Sequence, residues 1–378
     1  MLWGSKMTDL ILLSLVSIAL SWCAEHVVFK PTEPGKHHRQ LLFTLVIIVL
    51  LAGFAGLRTH CNDTGAYRHG YELLRTNGYL RSLDYSPGAN PLFNVINWFL
   101  KSNNVSTQNF LMFWAFLTVG CYIAFCHRHA ANYSLTIFLL YTTGVYTFCF
   151  AGIKQAAAVG IALVGVMLFF RGHKVGYILC IAVATGIHPY SLMYLLVPVA
   201  RYKPWTRNTY ILLVMALLGG FMLQPLLGTV VSITTMLGEE FSIASFSEEG
   251  VNLIRMIVCN VPLVLSYLYR KKLFRDSTPE ENLMMNLTML NGAIMFIALF
   301  GTANYFARLA NYFLIFQCIS LPWMLKKIGG KDGRILTVLM IIGYTAYFLY
   351  GNLVAIPFDS DFARLTVEEY LALGGGAR

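Results

Sequence analysis

A small set of titratable side chains stands at the borders of segments that are otherwise apolar. Arg58 follows the second apolar segment, Lys154 opens the fifth, and His188 precedes a proline inside another. Arg255 and Arg308 each lie about one helical turn inside an apolar segment. A cation in the apolar zone of a membrane costs about 2.5–3.5 kcal/mol on insertion scales, so such groups usually face a cavity and act there. Because Arg and Lys are the usual partners of phosphate groups, these residues predict a shared cavity that binds an anion.

The composition explains why these positions are unusual. The chain has 378 residues, of which 57% are hydrophobic and 12% are charged, and its mean hydropathy is +0.61. A soluble domain carries about 25% charged residues, so this chain lacks the charge to cover a water-facing surface. Disordered, collagen-like and disulfide-scaffold classes are excluded by the same numbers. Apolar stretches long enough to cross a hydrocarbon core of roughly 30 Å recur throughout, so the sequence predicts an all-α polytopic membrane protein.

The predicted spans lie at 8–28, 40–57, 107–126, 132–150, 155–170, 208–230, 251–270, 282–301, 305–325 and 335–352. A further apolar stretch, 175–200, contains Gly186-Ile187-His188-Pro189 at its middle. Proline removes a backbone donor and kinks a helix. We therefore consider two interpretations of 175–200, as one kinked span or as two short half-helices that turn at His188–Pro189.

The charges of the loops favour the two half-helices. With two passes at 175–200, one side of the membrane receives 17 of the 28 basic residues and 6 of the 18 acidic ones. With a single pass, every later loop changes sides and this bias largely cancels. Cytoplasmic loops collect Lys and Arg, so the net charge of +10 reflects orientation. We predict about 12 membrane passes, with both termini outside.

The chain is predicted to be organised as one transmembrane helical domain, 1–352, followed by an outer C-terminal tail, 353–378. One long polar loop, 58–106, lies on the outer side of this topology. Within the loop, Pro91–Leu100 is mildly apolar and is predicted to lie in the membrane interface or to re-enter the membrane.

Four short motifs resemble, in the same order along the chain, those of the EpsG/Wzy-type exopolysaccharide polymerase family. They are FAGLRTHCNDTGAYRHGYELL (Phe54–Leu74), FAGIKQAAAVGIAL (Phe150–Leu163), ATGIHPYSLMYLLVP (Ala184–Pro198) and NYFARLANYFLIFQCISLP (Asn304–Pro322). Two positions depart from the family pattern. Lys154 replaces an Arg, which keeps the charge but loses the bidentate fork, and Pro189 replaces a small residue.

The resemblance implies a GT-C-like helical architecture and a polysaccharide polymerase that works with a flippase and a chain-length regulator. Such an enzyme transfers an undecaprenyl-diphosphate-linked oligosaccharide onto another lipid-linked repeat unit. It is a multi-pass protein of the cytoplasmic (inner) membrane whose active site faces the outside or periplasm. A sugar hydroxyl of the acceptor attacks the anomeric carbon of the donor, and this direct displacement inverts the anomeric centre. Nucleic acid is not an expected partner.

The candidate residues take roles in that reaction. The cations predicted to bind the diphosphate and stabilise the leaving group are Arg58, Lys154, Arg255 and Arg308. The residues predicted to contact sugar are Tyr67, Gln155 and Tyr305. His188 is the first choice for a general base and Asp63 the second, and a base usually contributes about 10²–10⁴-fold. The sequence shows no paired acidic motif and no metal-ligand spacing, so metal independence is predicted and no cofactor is expected.

Three alternatives remain open at this point. A GT-C-type glycosyltransferase that uses a lipid-monophosphate sugar would make Asp63, in the first outer loop, essential. An O-antigen ligase would need its large outer loop nearer the C-terminal half than 58–106. A transporter of lipid-linked sugars would be expected to show inverted repeats and a pair of broken helices. The sequence shows one broken segment and no matching break in its other half.

Overall fold

The computed structural model describes residues 6–27, 39–77, 79–222, 229, 232–233, 235–236, 250–301 and 303–375. Of the residues described, 81% are helical. By length and composition, five of the described helices can cross a membrane, or six if one bent pair counts as a single span. The prediction of an all-α membrane protein is thereby confirmed, whereas the count of 12 passes and the GT-C-like architecture stay predictions.

The described residues form two compact units, and each is treated by itself. The first unit takes the described residues of 1–85, 90–188 and 345–378, and the second those of 86–89 and 189–344. The predicted division into a transmembrane domain at 1–352 and an outer tail at 353–378 stays a prediction.

Before residue 188, the described part of the first unit contains ten α-helices and one strand. These elements are α1 Lys6–His26, α2 Leu41–Gly56, β1 Arg58–His60, α3 Thr64–Glu72, α4 Tyr79–Ser82, α5 Pro91–Ser102, α6 Thr107–His129, α7 Tyr133–Thr142, α8 Val145–Ala151, α9 Ile153–Phe170 and α10 Lys174–Ile187. Helix α9 is central and mostly buried, and it packs on α6 and α10. A Cβ at Gly160 or Gly165 would come within 3.0 Å of Cys121 or Cys180, so small residues let these helices approach closely, as is usual in membranes.

The second unit contains α11 Arg207–Phe221, α12 Leu253–Leu268, α13 Arg270–Leu273, α14 Pro279–Ile297, α15 Ala303–Asn311, α16 Leu314–Ile328 and the larger part of α17 Gly330–Tyr350. Helix α14 is the core of this unit and contacts α11, α12 and α16. It begins with a capping box, in which Thr278 and Glu281 satisfy each other's backbone donors. The later part of the predicted span 208–230, residues 223–228 and 230, lies outside the described residues.

Two predicted spans are broken, which the sequence analysis missed. The span predicted at 132–150 is instead α7 and α8, bent by 54°. The break is at Gly144, whose φ of 82° is a left-handed conformation that glycine adopts readily. The span predicted at 305–325 is instead α15 and α16, separated at Tyr312-Phe313. Hydropathy averages over such single-residue breaks, so an apolar run does not reveal them.

The predicted end of a helix at His188–Pro189 is present. Helix α10 ends at Ile187, and the backbone N–H of His188 donates to the carbonyl of Ala184 at 2.8 Å. The chain continues as a 3₁₀-helix over Pro189–Leu196, not as the α-helical half predicted. A 3₁₀-helix rises about 2.0 Å per residue against 1.5 Å in an α-helix, so these eight residues extend further than half an α-helix would.

The C-terminal segment is part of the first unit. After a π-helix at Gly351–Ala355 come α18 Phe358–Asp361, β2 Ala363–Arg364 and α19 Val367–Gly375. Strand β2 pairs antiparallel with β1, with Arg364 opposite Arg58, and Arg364 donates to Asp9 at 2.7 Å. The described ends of the chain therefore meet the start of the polar loop on one side of this unit.

Candidate functional site

Arg58 is a buried residue that holds the turn between α2 and α3. Its side chain is among the largest that are fully buried, with 1% exposed. Its Nη1 donates to the Ala55 carbonyl, and its Nε donates to Thr64 Oγ1 at 3.1 Å. Burial lowers the pKa of Arg58 to about 10, so the guanidinium keeps its charge at neutral pH. Through these two hydrogen bonds, Arg58 orders the start of the polar loop.

Asp63 and Tyr67 lie in the first turns of α3, directly after that loop start. Asp63 occupies the N-cap position, where its carboxylate makes no capping hydrogen bond. The positive end of a helix dipole favours an anion there. Tyr67 lies one turn further on, with its amide donating to the Asp63 carbonyl at 3.2 Å, and its hydroxyl interacts electrostatically with Arg58.

Lys154 lies against two aromatic rings in the first turn of α9. Its Nζ is 5.9 Å from the ring centre of Tyr67 and 5.7 Å from that of Phe93. Phe93, on α5, stacks in turn on Trp114 at 4.9 Å. A cation over aromatic faces is attracted by the ring quadrupole. The structure thus brings together Arg58, Tyr67 and Lys154, which the sequence had placed in two separate motifs.

Gln155 and His188 belong to the same unit, on α9 and directly after α10. Gln155 is buried, with 7% exposed, beside Lys154 on α9. His188 is half-buried at the end of α10. A Cβ at Gly186 would lie 3.0 Å from Leu92 Cβ, so α5 packs on the last turn of α10 through Leu92 and on Lys154 through the adjacent Phe93.

The second unit carries the other two predicted cations on connected helices. Arg255, near the start of α12, donates from Nη2 to Asn311 Oδ1 at 3.3 Å. Arg308 lies three residues before Asn311 on α15 and is exposed. Residues three apart on a helix share a face. Arg308 therefore lies on the same face of α15 as Asn311, the residue that accepts the hydrogen bond from Arg255.

Tyr305 is predicted to bind sugar but lies mainly in a hydrophobic cluster. It is 9% exposed and packs against Ile297, Phe300 and other apolar residues. Its hydroxyl donates to the Tyr190 hydroxyl at 3.3 Å, and the two rings meet edge to face at 5.9 Å. This contact joins the 3₁₀-helix to α15 within the second unit.

The predicted residues therefore form two groups, one in each unit. The first unit holds Arg58, Asp63, Tyr67, Lys154, Gln155 and His188, and the second holds Arg255, Tyr305 and Arg308. The group in the first unit contains a cation that the sequence analysis missed, Arg68, which donates to Gln108 Oε1 at 3.0 Å. Its position next to Tyr67 is the signal in the sequence that could have identified it.

The predicted independence of a metal concerns the arrangement of His, Cys, Asp and Glu side chains. Among the residues that the structure describes, no three His, Cys, Asp or Glu side chains form a group that could hold a metal ion. The expectation that the protein needs no metal stays a prediction.

The fold and these side chains define a class, a multi-pass α-helical membrane protein with cations and aromatic rings gathered at its helix ends. The family model described as "EpsG family" matches residues 41–362. Since that range covers most of the chain and all four motifs, the chain belongs to the EpsG family, and the predicted resemblance is confirmed. The family is associated with polysaccharide polymerisation, a glycosyltransferase-like role. No similar curated protein and no similar solved structure was found.

Proposed function

We propose that this protein polymerises lipid-linked oligosaccharide repeat units by inverting, metal-independent glycosyl transfer. The donor carries its oligosaccharide on undecaprenyl diphosphate, and a second lipid-linked unit is the acceptor. The membrane is the cytoplasmic one, and the reaction takes place at its outer face. A flippase that supplies the units and a chain-length regulator are the expected protein partners.

The observation that carries the proposal is the surface formed by Arg255, Asn311 and Arg308. Arg308 is exposed, and Arg255 is oriented by the Asn311 amide. Two guanidinium groups on one surface match a diphosphate, because each can make paired charge-assisted hydrogen bonds to phosphate oxygens. When the bond between the anomeric carbon and the phosphate oxygen breaks, negative charge accumulates on the diphosphate, and fixed cations stabilise it there.

The group in the first unit supports the same chemistry with different contacts. Lys154 is proposed to interact with phosphate, and the rings of Tyr67 and Phe93 that surround its Nζ suit the apolar face of a sugar. Gln155 and Tyr305 are proposed as further sugar contacts. Arg58 supports the site by ordering the loop start from its buried position.

The acceptor hydroxyl must lose a proton as it attacks. His188 is the proposed base, because imidazole is the side chain that acts most often as a general base, and His188 lies half-buried directly after the end of α10. Asp63, at the N-terminus of α3, is the second candidate.

The test is the substitution of Arg308 and Arg255, one at a time, in the purified full chain. Arg308→Ala and Arg255→Ala should lower the rate of polymer formation from lipid-linked repeat units by about 10²–10³-fold, leaving single units. Arg334→Ala is the matched control, because Arg334 is an exposed arginine of the same unit near the start of α17. Full-length polymer from a folded Arg308→Ala protein would exclude the diphosphate role.

One observation favours a second candidate, a glycosyltransferase that uses a lipid-monophosphate sugar. Asp63 lies in the first polar loop beside the group of Lys154 and Tyr67, where such an enzyme would need its carboxylate base. If Asp63→Asn abolishes transfer while Arg308→Ala does not, the monophosphate donor is the better account.

A further inference from the structure

The first unit contains a cavity that the proposed donor site does not use. It has a volume of about 230 Å³ and is partly open. Its walls come from the α7–α8 break, the turn after β1 and the C-terminal segment from Tyr347 to Asp361. We refer to it as the Asp361 cavity, after the carboxylate at its edge.

The break in the seventh helix gives the cavity a polar wall. Thr142 Oγ1 donates to the Phe138 carbonyl at 3.1 Å, and Thr147 Oγ1 donates to the Gly144 carbonyl at 3.0 Å. A hydroxyl has one donor and two acceptor lone pairs. Since the hydrogen is used within the helix, each oxygen presents acceptor capacity to a ligand.

The wall formed by the C-terminal segment also carries a polar side chain, that of Asn352. Asn352, in the π-helix, donates from Nδ2 to the Phe348 carbonyl at 2.9 Å, so its amide oxygen and its second N–H can still contact a ligand. A π-helix inside a membrane helix frequently marks a functional position. Aromatic rings of Tyr347 and Phe358 lie in the same lining.

Asp361 adds a carboxylate that is held in place yet accessible. Its Oδ1 accepts from the Asn62 amide at 3.2 Å, and its Oδ2 accepts from Cys61 Sγ at 3.8 Å. His60 Nε2 lies 3.8 Å from Oδ1. The side chain is 35% exposed, and an ionised carboxylate has about four acceptor sites, so Asp361 can accept further hydrogen bonds.

This chemistry selects the class of ligand. A cavity that offers acceptors and a carboxylate disfavours anions and suits a ligand that supplies many donors. Aromatic rings beside those acceptors suit a molecule with apolar C–H faces. A sugar ring has both features. The volume is below the roughly 300–1,000 Å³ of sites for drug-sized ligands, so it accommodates one ring and not an entire repeat unit.

We propose that the Asp361 cavity binds one sugar of the acceptor repeat unit, with Asp361 accepting a hydrogen bond from a sugar hydroxyl. The inference rests on the proposed polymerase function and adds to it the place where the acceptor is recognised. Asp361 is a binding residue in this account, and no bond is made or broken at it.

The test uses full-length protein in lipid nanodiscs and repeat units extracted from a strain of the source organism that lacks this protein. The key measurement is inhibition of polymer formation by the same repeat unit after its lipid has been removed by mild acid. Asp361→Asn keeps an oxygen for the Asn62 amide but replaces an acceptor by a donor. Loss of a hydrogen bond to a charged group should raise the inhibition constant by about 10-fold or more.

Two further variants make the result specific. Glu368→Gln removes one exposed carboxylate of the same C-terminal segment and should leave the inhibition constant unchanged. Asn352→Leu removes the amide oxygen from the opposite wall and should raise the constant, which keeps the test valid if Asp361→Asn does not fold. Inhibition by inorganic pyrophosphate should be the same in all variants, because the cavity does not bind the diphosphate.

The outcomes separate the two proposals. If the wild-type protein makes no polymer from lipid-linked units, the proposed function is wrong. If it makes polymer but the free repeat unit does not inhibit, or inhibits Asp361→Asn and Asn352→Leu as strongly as wild type, the function stands and the cavity is not the acceptor site. A loss of pyrophosphate inhibition in Asp361→Asn would also overturn the inference.

Discussion

Arg58 and Arg308 are the same residue type at comparable positions in the sequence, each at an end of an apolar segment, yet their surroundings are opposite. Arg58 has 1% of its surface exposed and donates to a backbone carbonyl and to Thr64. Arg308 is exposed on a helix face beside the amide that orients Arg255. One arginine is enclosed in a turn and the other lies at the surface of its unit. Position along the sequence therefore does not distinguish a buried cation from an exposed one.

The turn at Arg58 also encloses the thiol of Cys61. The reactivity of this thiol should show the largest effect of all. Burial, followed by the negative charge of Asp361, raises the pKa of Cys61 to about 12. Since the thiolate is the reactive form, a variant with Cys61 as its only cysteine should react with a maleimide roughly 10³-fold more slowly at pH 8 than a free thiol, as a shift of about three pKa units implies. The rate is measured by mass spectrometry.

The same experiment has an internal control. Asp361→Asn removes a charge that raises the pKa of Cys61, so the reaction of Cys61 should become faster in that variant. Fast modification of Cys61 in the folded wild type would show that the turn is open, and the contrast with Arg308 would then fail.

Arg58→Met should destabilise the protein far more than Arg308→Met. Without Arg58, the Ala55 carbonyl and the Thr64 hydroxyl each lose one hydrogen bond. A buried polar group that loses its partner costs about 1–3 kcal/mol of stability. We expect the free energy of unfolding to fall by about 2–4 kcal/mol for Arg58→Met. For Arg308→Met the expected change is within about 0.5 kcal/mol. Thermal unfolding in detergent compares the two variants directly.

An Arg58→Met protein as stable as wild type but unable to make polymer would assign Arg58 to the substrate and not to the turn. That result would contradict the structural role given to it above.

Lys154 is intermediate in exposure between the two arginines, because it is half-buried against the rings of Tyr67 and Phe93. Lys154→Met preserves the length of the side chain and removes the charge. A lost charge-assisted contact of about 1.5–3 kcal/mol should lower the rate of polymer formation about 10–100-fold with little change in thermal stability. Lys154→Arg should stay active, since the family motif that this segment resembles has Arg there. Equal activity of Lys154→Met and wild type would remove Lys154 from the site.

Asn311→Ala should produce the smallest effect. It removes one neutral amide that orients Arg255 at 3.3 Å, and a hydrogen bond of this kind is worth about 0.5–1.5 kcal/mol, or 2–10-fold. We expect the KM for lipid-linked repeat units to rise by that factor while kcat and thermal stability hold. Asn103→Ala, an exposed asparagine at the end of α5, is the control. A fall in kcat with unchanged KM would show that Asn311 does not act through binding.

Several features of this protein could be predicted from the sequence because they depend on local chemistry. Low charge and repeated apolar stretches determine a membrane protein, since only helices of such composition satisfy their backbone groups in lipid. The break at His188–Pro189 followed from the donor that proline lacks. The four short motifs were sufficient for the EpsG family, which the match over 41–362 confirms.

Other features were decided only by tertiary structure, because they depend on residues far apart in the chain. Strand β2 pairs with β1 across some 300 positions, which brings Asp361 beside Cys61 and Asn62, and no local pattern encodes such a contact. The break at Gly144 is invisible to hydropathy because α7 and α8 together are apolar enough to pass as one span. The burial of Arg58 and the exposure of Arg308 likewise depend on which helices pack around them. The sequence determined the residue types available for chemistry, whereas packing decided which of them are enclosed and which can meet a ligand.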